Sequence, residues 1–472
     1  MTRRIITFVF SAMLLWSCGS SHDDAVSQYR EPDSMPKIEG LTVFSLGTTA
    51  VLPYRGSSYL SLVYYIPPYV EDASESRYSM STTGFESWDA SSESGALTAS
   101  GTLRDPLLKT VGEVEEDFHL QLRLKAAELL ASGYSQAKPK LMKGLAAYSV
   151  GDIWRNVNIG QDDRVIDAEC IGISPHGYFF IETGVEKPSA NILQDMMDGF
   201  EGIYSVMHEK FGVENDVDGN GKVIIMLYRG QRKDICGYFS PKDKFSAVDV
   251  PLSNEADIFY VNDIYIELDF NIVMATLAHE FQHMISIDNK YNMGLDYLDV
   301  WIEEGLAMQA EHFTGYFFKQ KADYLGYYFG NYGDTNLLHW TSSVTNYAYS
   351  YLFLRYLVEQ FGDNVIKRLY NSSKTGTDAV EEAAGKPFNT IFEDFVLALF
   401  LSGKGITDDS RYNFKTVDIK GKGGFAPYFK LNSGQKVDSP ILPYSFQIIE
   451  WNGTVTEAAL QGNVRGYGLP KE

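Results

Sequence analysis

The stretch MATLAHEFQHMISIDN, residues 274–289, decides how the rest of the chain is read. Met274, Ala278, Phe281 and Ile285 recur at spacings of four, three and four, the apolar stripe of a buried helix. His279 and His283 lie one turn apart on an adjacent face, with Glu280 beside the first, and spell His-Glu-x-x-His. Two imidazoles stacked in this way can each direct a ring nitrogen at one Zn²⁺ ion, while the glutamate reaches a water on the open side. Five residues are a weak signal alone, because a histidine pair on a helix is commonly structural. A third ligand has to be found.

Two sources are conceivable. A third histidine in the run His-Glu-x-x-His-x-x-Gly-x-x-His would need Gly at 286 and His at 289, but the chain has Ser286 and Asn289. The stretch VWIEEGLAMQAEHF, residues 300–313, instead reads as a second helix that could bring a glutamate. Asp296 or Asp299 offers its N-cap, Gly315 its stop, and Gly305 a smooth point for close approach to the first helix. Glu303 and Glu304 point about 100° apart, so only one can face a metal, and periodicity does not choose between them.

HEFQH followed by WIEEGLAMQAE resembles the gluzincin metallopeptidases, and more narrowly the hyicolysin-type neutral zinc peptidases of bacteria. The likeness extends over DVDGNGKVIIML, GYFSPKD, SNEADIFYVND and NYAYSYLFLRYLVEQFG, together about residues 146 to 402. It implies an α+β fold with a thermolysin-like zincin domain, a mixed sheet joined to a helical subdomain. It implies zinc-dependent endopeptidase activity on extracellular proteins or peptides, with Glu280 as general base. Alignment on Gly305 makes Glu304 the third ligand beside His279 and His283, although Glu303 stands where the family often has Asn. Glu311 matches an acidic position that would orient a liganding imidazole. The family places a Tyr or His opposite the metal, for which Tyr347, Tyr351 and His339 are the candidates, Tyr347 first. It also sets an edge strand beside the metal to pair with extended substrate, and ADIFYVNDIYIEL alternates as such a strand would. The Gly-x-Met-Glu-Asn stretch of related aminopeptidases is missing from the sequence, which favours an endopeptidase.

Upstream, Arg3 and Arg4 precede the apolar run IITFVFSAMLLW, and Leu15, Ser17 and Cys18 satisfy most of a bacterial lipobox. The expectation is a signal peptide over 1–17, a lipid anchor on Cys18 that ties the protein to a bacterial envelope membrane, and a polar tether over 18–36. Residues 37–145 read as a β-rich N-terminal module that ends in a helix, 146–405 as the metallopeptidase domain, and 406–472 as a C-terminal β appendage. The Ser-rich stretch from Ser74 to Ser100 reads as an exposed loop, and His119 in the following helix as a surface residue. His176 precedes an aromatic strand and fits a turn or core role.

A net charge of −22 argues against nucleic acid as a partner, since a phosphate backbone would be repelled. Asp216, Asp218 and Asn220, then Gly221, form the first half of a calcium loop. The bidentate Glu expected at its twelfth position is Leu227, so an acidic turn before a strand fits equally well. Cys170 and Cys236 have no metal-ligand spacing, and nothing in the sequence pairs them. A second function class stays open at this level: a surface lipoprotein that binds without turnover on a peptidase-like fold.

Overall fold

The computed structural model describes residues 41–44, 49–51, 58–67, 74–83, 118–138, 148–317, 322–421, 423–455 and 457–470. The leader, Cys18 and the tether lie outside these residues. Among the described residues, no helix is long and apolar enough to cross a membrane.

In chain order the first elements are β1 (Thr42–Phe44), β2 (Thr49–Val51), β3 (Ser58–Tyr65), β4 (Ser76–Thr83) and α1 (Phe118–Ala131). The middle of the chain contributes β5 (Ile153–Ile159), β6 (Arg164–Ile173), β7 (Gly177–Glu182), α2 (Ala190–Lys210), β8 (Val223–Tyr228), β9 (Gly237–Phe239) and β10 (Ile258–Asn262). Helices follow: α3 (Ile264–Leu268), α4 (Phe270–Met293), α5 (Val300–Phe313), α6 (Ala322–Asn331), α7 (Val344–Phe361), α8 (Asn364–Asn371), α9 (Gly376–Ala384) and α10 (Phe388–Leu401). The chain closes with β11 (Phe429–Asn432), β12 (Lys436–Ile441), β13 (Ser445–Asn452), β14 (Glu457–Gly462) and β15 (Arg465–Pro470).

The architecture is α+β. A mixed sheet in the order β5-β6-β7-β8-β10-β9 carries the helices, with β7, β8 and β10 parallel. The three parallel strands are apolar on both faces, as buried parallel strands must be. Val223, Ile225 and Leu227 of β8 face the core shared with α2 and α4, while Ile224, Met226 and Tyr228 enter a smaller core on the other side. The expectation that β10 lies at an edge is therefore corrected: it sits between β8 and β9, and β9 is the edge. The polar residues that flank β10 imitate alternation, but all five of its own residues are buried.

The strands expected at the two ends of the chain pair with one another. One sheet runs β1-β15-β3-β13-β11 and a second β12-β4-β14-β2, so each mixes N-terminal and C-terminal strands. Tyr59, Val63, Met80, Ile449, Trp451 and Leu460 fill the space between the two sheets. The opposite face of the first sheet, including Leu62, Tyr64, Phe446 and Tyr467, packs into the main core. The Ser-rich stretch is corrected in its first part, because Ser76–Thr83 is strand β4 with partners on both sides; residues 84–100 lie outside the described residues. Pairing across several hundred residues leaves no local trace in sequence.

Gly305 does serve close approach, but to α7 and not to the zinc-motif helix. A Cβ built there would lie 2.8 Å from Leu354 Cδ2 and 3.1 Å from the Ser350 carbonyl oxygen. Gly305→Ala should therefore destabilise the protein by about 1–3 kcal/mol through overpacking, read as a lower Tm in thermal denaturation. An unchanged Tm would show that α5 and α7 are not in this contact.

Candidate metal centre

Helix α4 is built to be buried. The Asp269 carboxylate accepts from the Asn271 and Ile272 backbone N–H groups at its start, and Gly294 at φ 64° ends it. Met274, Ala278, Phe281 and Ile285 are all inaccessible, as the stripe requires. Asp299 takes the N-cap position of α5, which crosses α4 closely.

These two helices bring three of the expected residues together. His279, His283 and Glu304 each offer one ligand atom, and these atoms lie within 4.8 Å of one another, all buried. Between Glu303 and Glu304 the structure separates the roles. Glu304 Oε2 is 3.1 Å from His279 Nε2, and its Oε1 is 3.8 Å from His283 Nε2. Glu303 turns away and accepts from Ser286 Oγ at 2.6 Å and Gln282 Nε2 at 3.0 Å.

The electrostatics suit a cation. His279 Nδ1 is 2.8 Å from Glu311 Oε1, so the Nδ1–H donates to that carboxylate, and a neutral ring then turns the Nε2 lone pair toward Glu304. Two acceptors facing each other at that distance call for a positive charge between them or on the ring. Burial drives the His283 imidazole well below its usual pKa, with Arg123 adding to the effect, so this ring is neutral. Both its nitrogens are buried without a hydrogen-bond partner among the described residues. An orphaned, neutral, buried imidazole is costly unless something else occupies its lone pair. Burial alone would raise the Glu304 carboxyl, but the charge of Arg123 and the hydrogen-bond contact with His279 hold it well below the ordinary range. The donor set, two imidazoles and one carboxylate, is the kind zinc takes in catalytic sites.

Glu280 is 2% exposed and accepts from the Phe239 backbone N–H at 3.1 Å. It also accepts from Arg123 Nη2 at 3.1 Å, and Arg123 Nε donates to Glu304 Oε1 at 3.0 Å. One guanidinium on α1 thus spans both carboxylates. Sequence reasoning missed it. The available signal was an arginine in step with Ala126 and Leu129, the other buried residues of α1, at spacings of three. His119, one turn earlier, is corrected from a surface role: its Nδ1 is 3.9 Å from Glu280 Oε1.

Of the three candidates for an oxyanion donor, Tyr347 lies nearest, its ring 6.5 Å from that of His279. Tyr351 is instead a core residue, stacked on Phe317 with its hydroxyl 2.8 Å from His312 Nδ1. His339 lends its carbonyl to Asn346 in the turn before α7, and no contact links it to the three converging residues. His176 holds Glu201 and stacks on Tyr204, as a turn residue.

The half calcium loop folds as an acidic turn, with Asp216 accepting from the Gly219 and Gly221 N–H groups and Asp218 from Asn220. Asp216 and Asp218 approach Asp257 within ligand range, while Asn220 donates from Nδ2 to Asp218 and accepts from the Lys222 N–H. Burial, and then Asp257, push the Asp218 carboxyl up to about 8. Cys170 and Cys236 are not joined in a disulfide.

Residues 185–386 match a family described as a family of unknown function, DUF6055. The chain is also similar to the neutral metalloprotease ShpI of Staphylococcus hyicus, 35% identical over 206 residues that cover 38% of this chain and 45% of that protein. The match thus spans less than half the length of either protein. It supports a metalloprotease relationship, and with the converging side chains it implies a metal.

Glu311→Gln should weaken metal binding roughly 10- to 100-fold while leaving the ligand atoms in place, and Glu304→Ala should abolish it. Competition against a chromophoric chelator measures both. Undiminished binding in Glu304→Ala would remove this cluster as the site.

Proposed function

We propose that this chain is a zinc-dependent endopeptidase in which His279, His283 and Glu304 hold the metal and Glu280 is the general base. The observation that carries the reading is the buried convergence of these three ligand atoms, with Glu280 linked to Glu304 through a single guanidinium. The likeness to a neutral metalloprotease supports it independently.

Zinc in this position would supply Lewis acidity to a carbonyl and a water of lowered pKa. Glu280 would accept a proton from the attacking water and deliver it to the departing amine. Glu311 fixes the His279 tautomer and ring orientation through Nδ1–H. Tyr347 supplies a hydroxyl on the His279 side that could donate to the oxyanion. The Phe239 N–H of edge strand β9 already points at Glu280, so an extended peptide added along that edge would pass the base. Natural protein substrates outside the cell fit a chain tethered by lipid at Cys18.

Purified protein should contain one zinc and cleave casein. Glu280→Gln should keep the zinc and lose about 10²- to 10⁴-fold in kcat. Zinc-loaded wild type and variant that are equally inert would favour the rival reading, a surface binding protein without turnover. For the tether, Cys18→Ser should move the protein from the membrane fraction to the soluble fraction; an unchanged distribution would discard the lipid anchor.

A further inference from the structure

We infer that α1 is a built-in plug of the catalytic cleft, held shut by the Arg123 fork on Glu280 and Glu304; this rests on the peptidase reading above. Arg123 is 1% exposed. Its Nη2 and Nε donate to the carboxylate assigned as base and to the carboxylate assigned as ligand, at 3.1 and 3.0 Å. A group that bridges those two acids stands where an attacking water and a scissile carbonyl would have to stand.

Three further observations separate a plug from a permanent support. Of the two Glu280 oxygens, Oε2 accepts from both Arg123 Nη2–H and Phe239 N–H. That oxygen is thereby occupied before substrate arrives. Access is also lost: His279, Glu280, His283 and Glu304 are 7%, 2%, 0% and 1% exposed. A peptide bond must come within about 3–3.5 Å of the reacting groups, and the Arg123 guanidinium lies within 3.1 Å of two of them.

Lastly, α1 is held by a narrow stripe. Of its residues only Arg123, Ala126 and Leu129 are buried, and Leu124 on the far side is 50% exposed. Phe118 adds an edge contact to Tyr238, and the helix rests on α4, α5 and the turn at Pro241–Lys244. A helix that gives the main core only two buried apolar side chains, Ala126 and Leu129, besides one charged one takes little of that core with it when it leaves. The fixed guanidinium fork suits the task, since it can donate to two acids at once where a lysine would reach them only as a point charge.

The test compares full-length wild type with Arg123→Ala and Leu129→Asp, each loaded with zinc. Leu129→Asp loosens the same stripe without touching either acid, so it guards against an Arg123 variant that fails to fold. Readouts are zinc content, affinity for a peptidyl hydroxamate, and casein cleavage. A plug that keeps the open state a minor population lowers apparent affinity by that fraction, so both variants should bind the hydroxamate about tenfold or more tightly than wild type and cleave casein correspondingly faster. If Arg123 instead supports the active arrangement, Arg123→Ala loses activity and Leu129→Asp gains none. Zinc retained with no gain in either variant overturns the plug and leaves the peptidase reading standing. Tighter hydroxamate binding without cleavage in any form upholds the plug and overturns turnover. A wild-type chain that takes up no zinc overturns both.

Discussion

Helix α4 buries seven polar side chains, His279, Glu280, Gln282, His283, Ser286, Asp288 and Lys290, within three turns of an otherwise apolar element. Each would cost on the order of 1–3 kcal/mol or more if left without a partner, so every neighbour of this helix has to supply one. Asp288 receives buried Lys244 at 2.9 Å, and Lys244 also pairs with Asp257, which fastens the end of α4 to the central sheet. Lys290 donates to the Ser372 carbonyl after α8, Ser286 to Glu303 of α5, and Gln282 to Glu303 and to Tyr370. Glu280 takes Phe239 and Arg123, and His279 takes Glu311. The element contacts of the domain follow from satisfying this one helix; among the described residues Gln282 lacks a partner only at Oε1, whereas His283 is the one of the seven with neither polar atom paired.

That remainder points to function. Structural polar groups are satisfied by the protein, and one left over in so carefully paired a setting marks a partner of another kind. The alternative, in which His283 is merely a core histidine, would call for a hydrogen bond to one of its nitrogens, and its nearest acid oxygens are at 3.8 Å on both sides.

Much of this was legible locally. The stripe on α4 and the second helix with its acidic pair follow from patterns a few residues long, and the structure has the second at Val300–Phe313, as expected. Glu304 over Glu303 needed a family likeness, because adjacent residues on a helix carry no mark of which face is inward; the Ser286 and Gln282 donors that claim Glu303 become visible only when the helices cross. What could not be read was set by distance in sequence. The sandwich joins Ser58–Tyr65 to Ser445–Asn452, and Arg123 reaches acids 157 and 181 positions away. The apparent edge character of β10 failed for a different reason: its neighbour β9 is three residues long, too short to announce itself by alternation.

The same charges set how helix docking and metal binding depend on each other. Glu304 is ionised and buried, and two kinds of cation can neutralise it: the guanidinium of α1 or an ion held with His279 and His283. Both bear positive charge and meet at one carboxylate, Arg123 on Oε1 and the His279 side on Oε2. Their mutual repulsion makes each less favourable in the presence of the other. By linkage the coupling is reciprocal, so whatever free energy the docked helix takes from the ion, the bound ion takes from the docked helix. On the peptidase reading proposed above, no separate device is needed to keep Glu280 occupied in the metal-free chain, because Arg123 already neutralises Glu280 and Glu304.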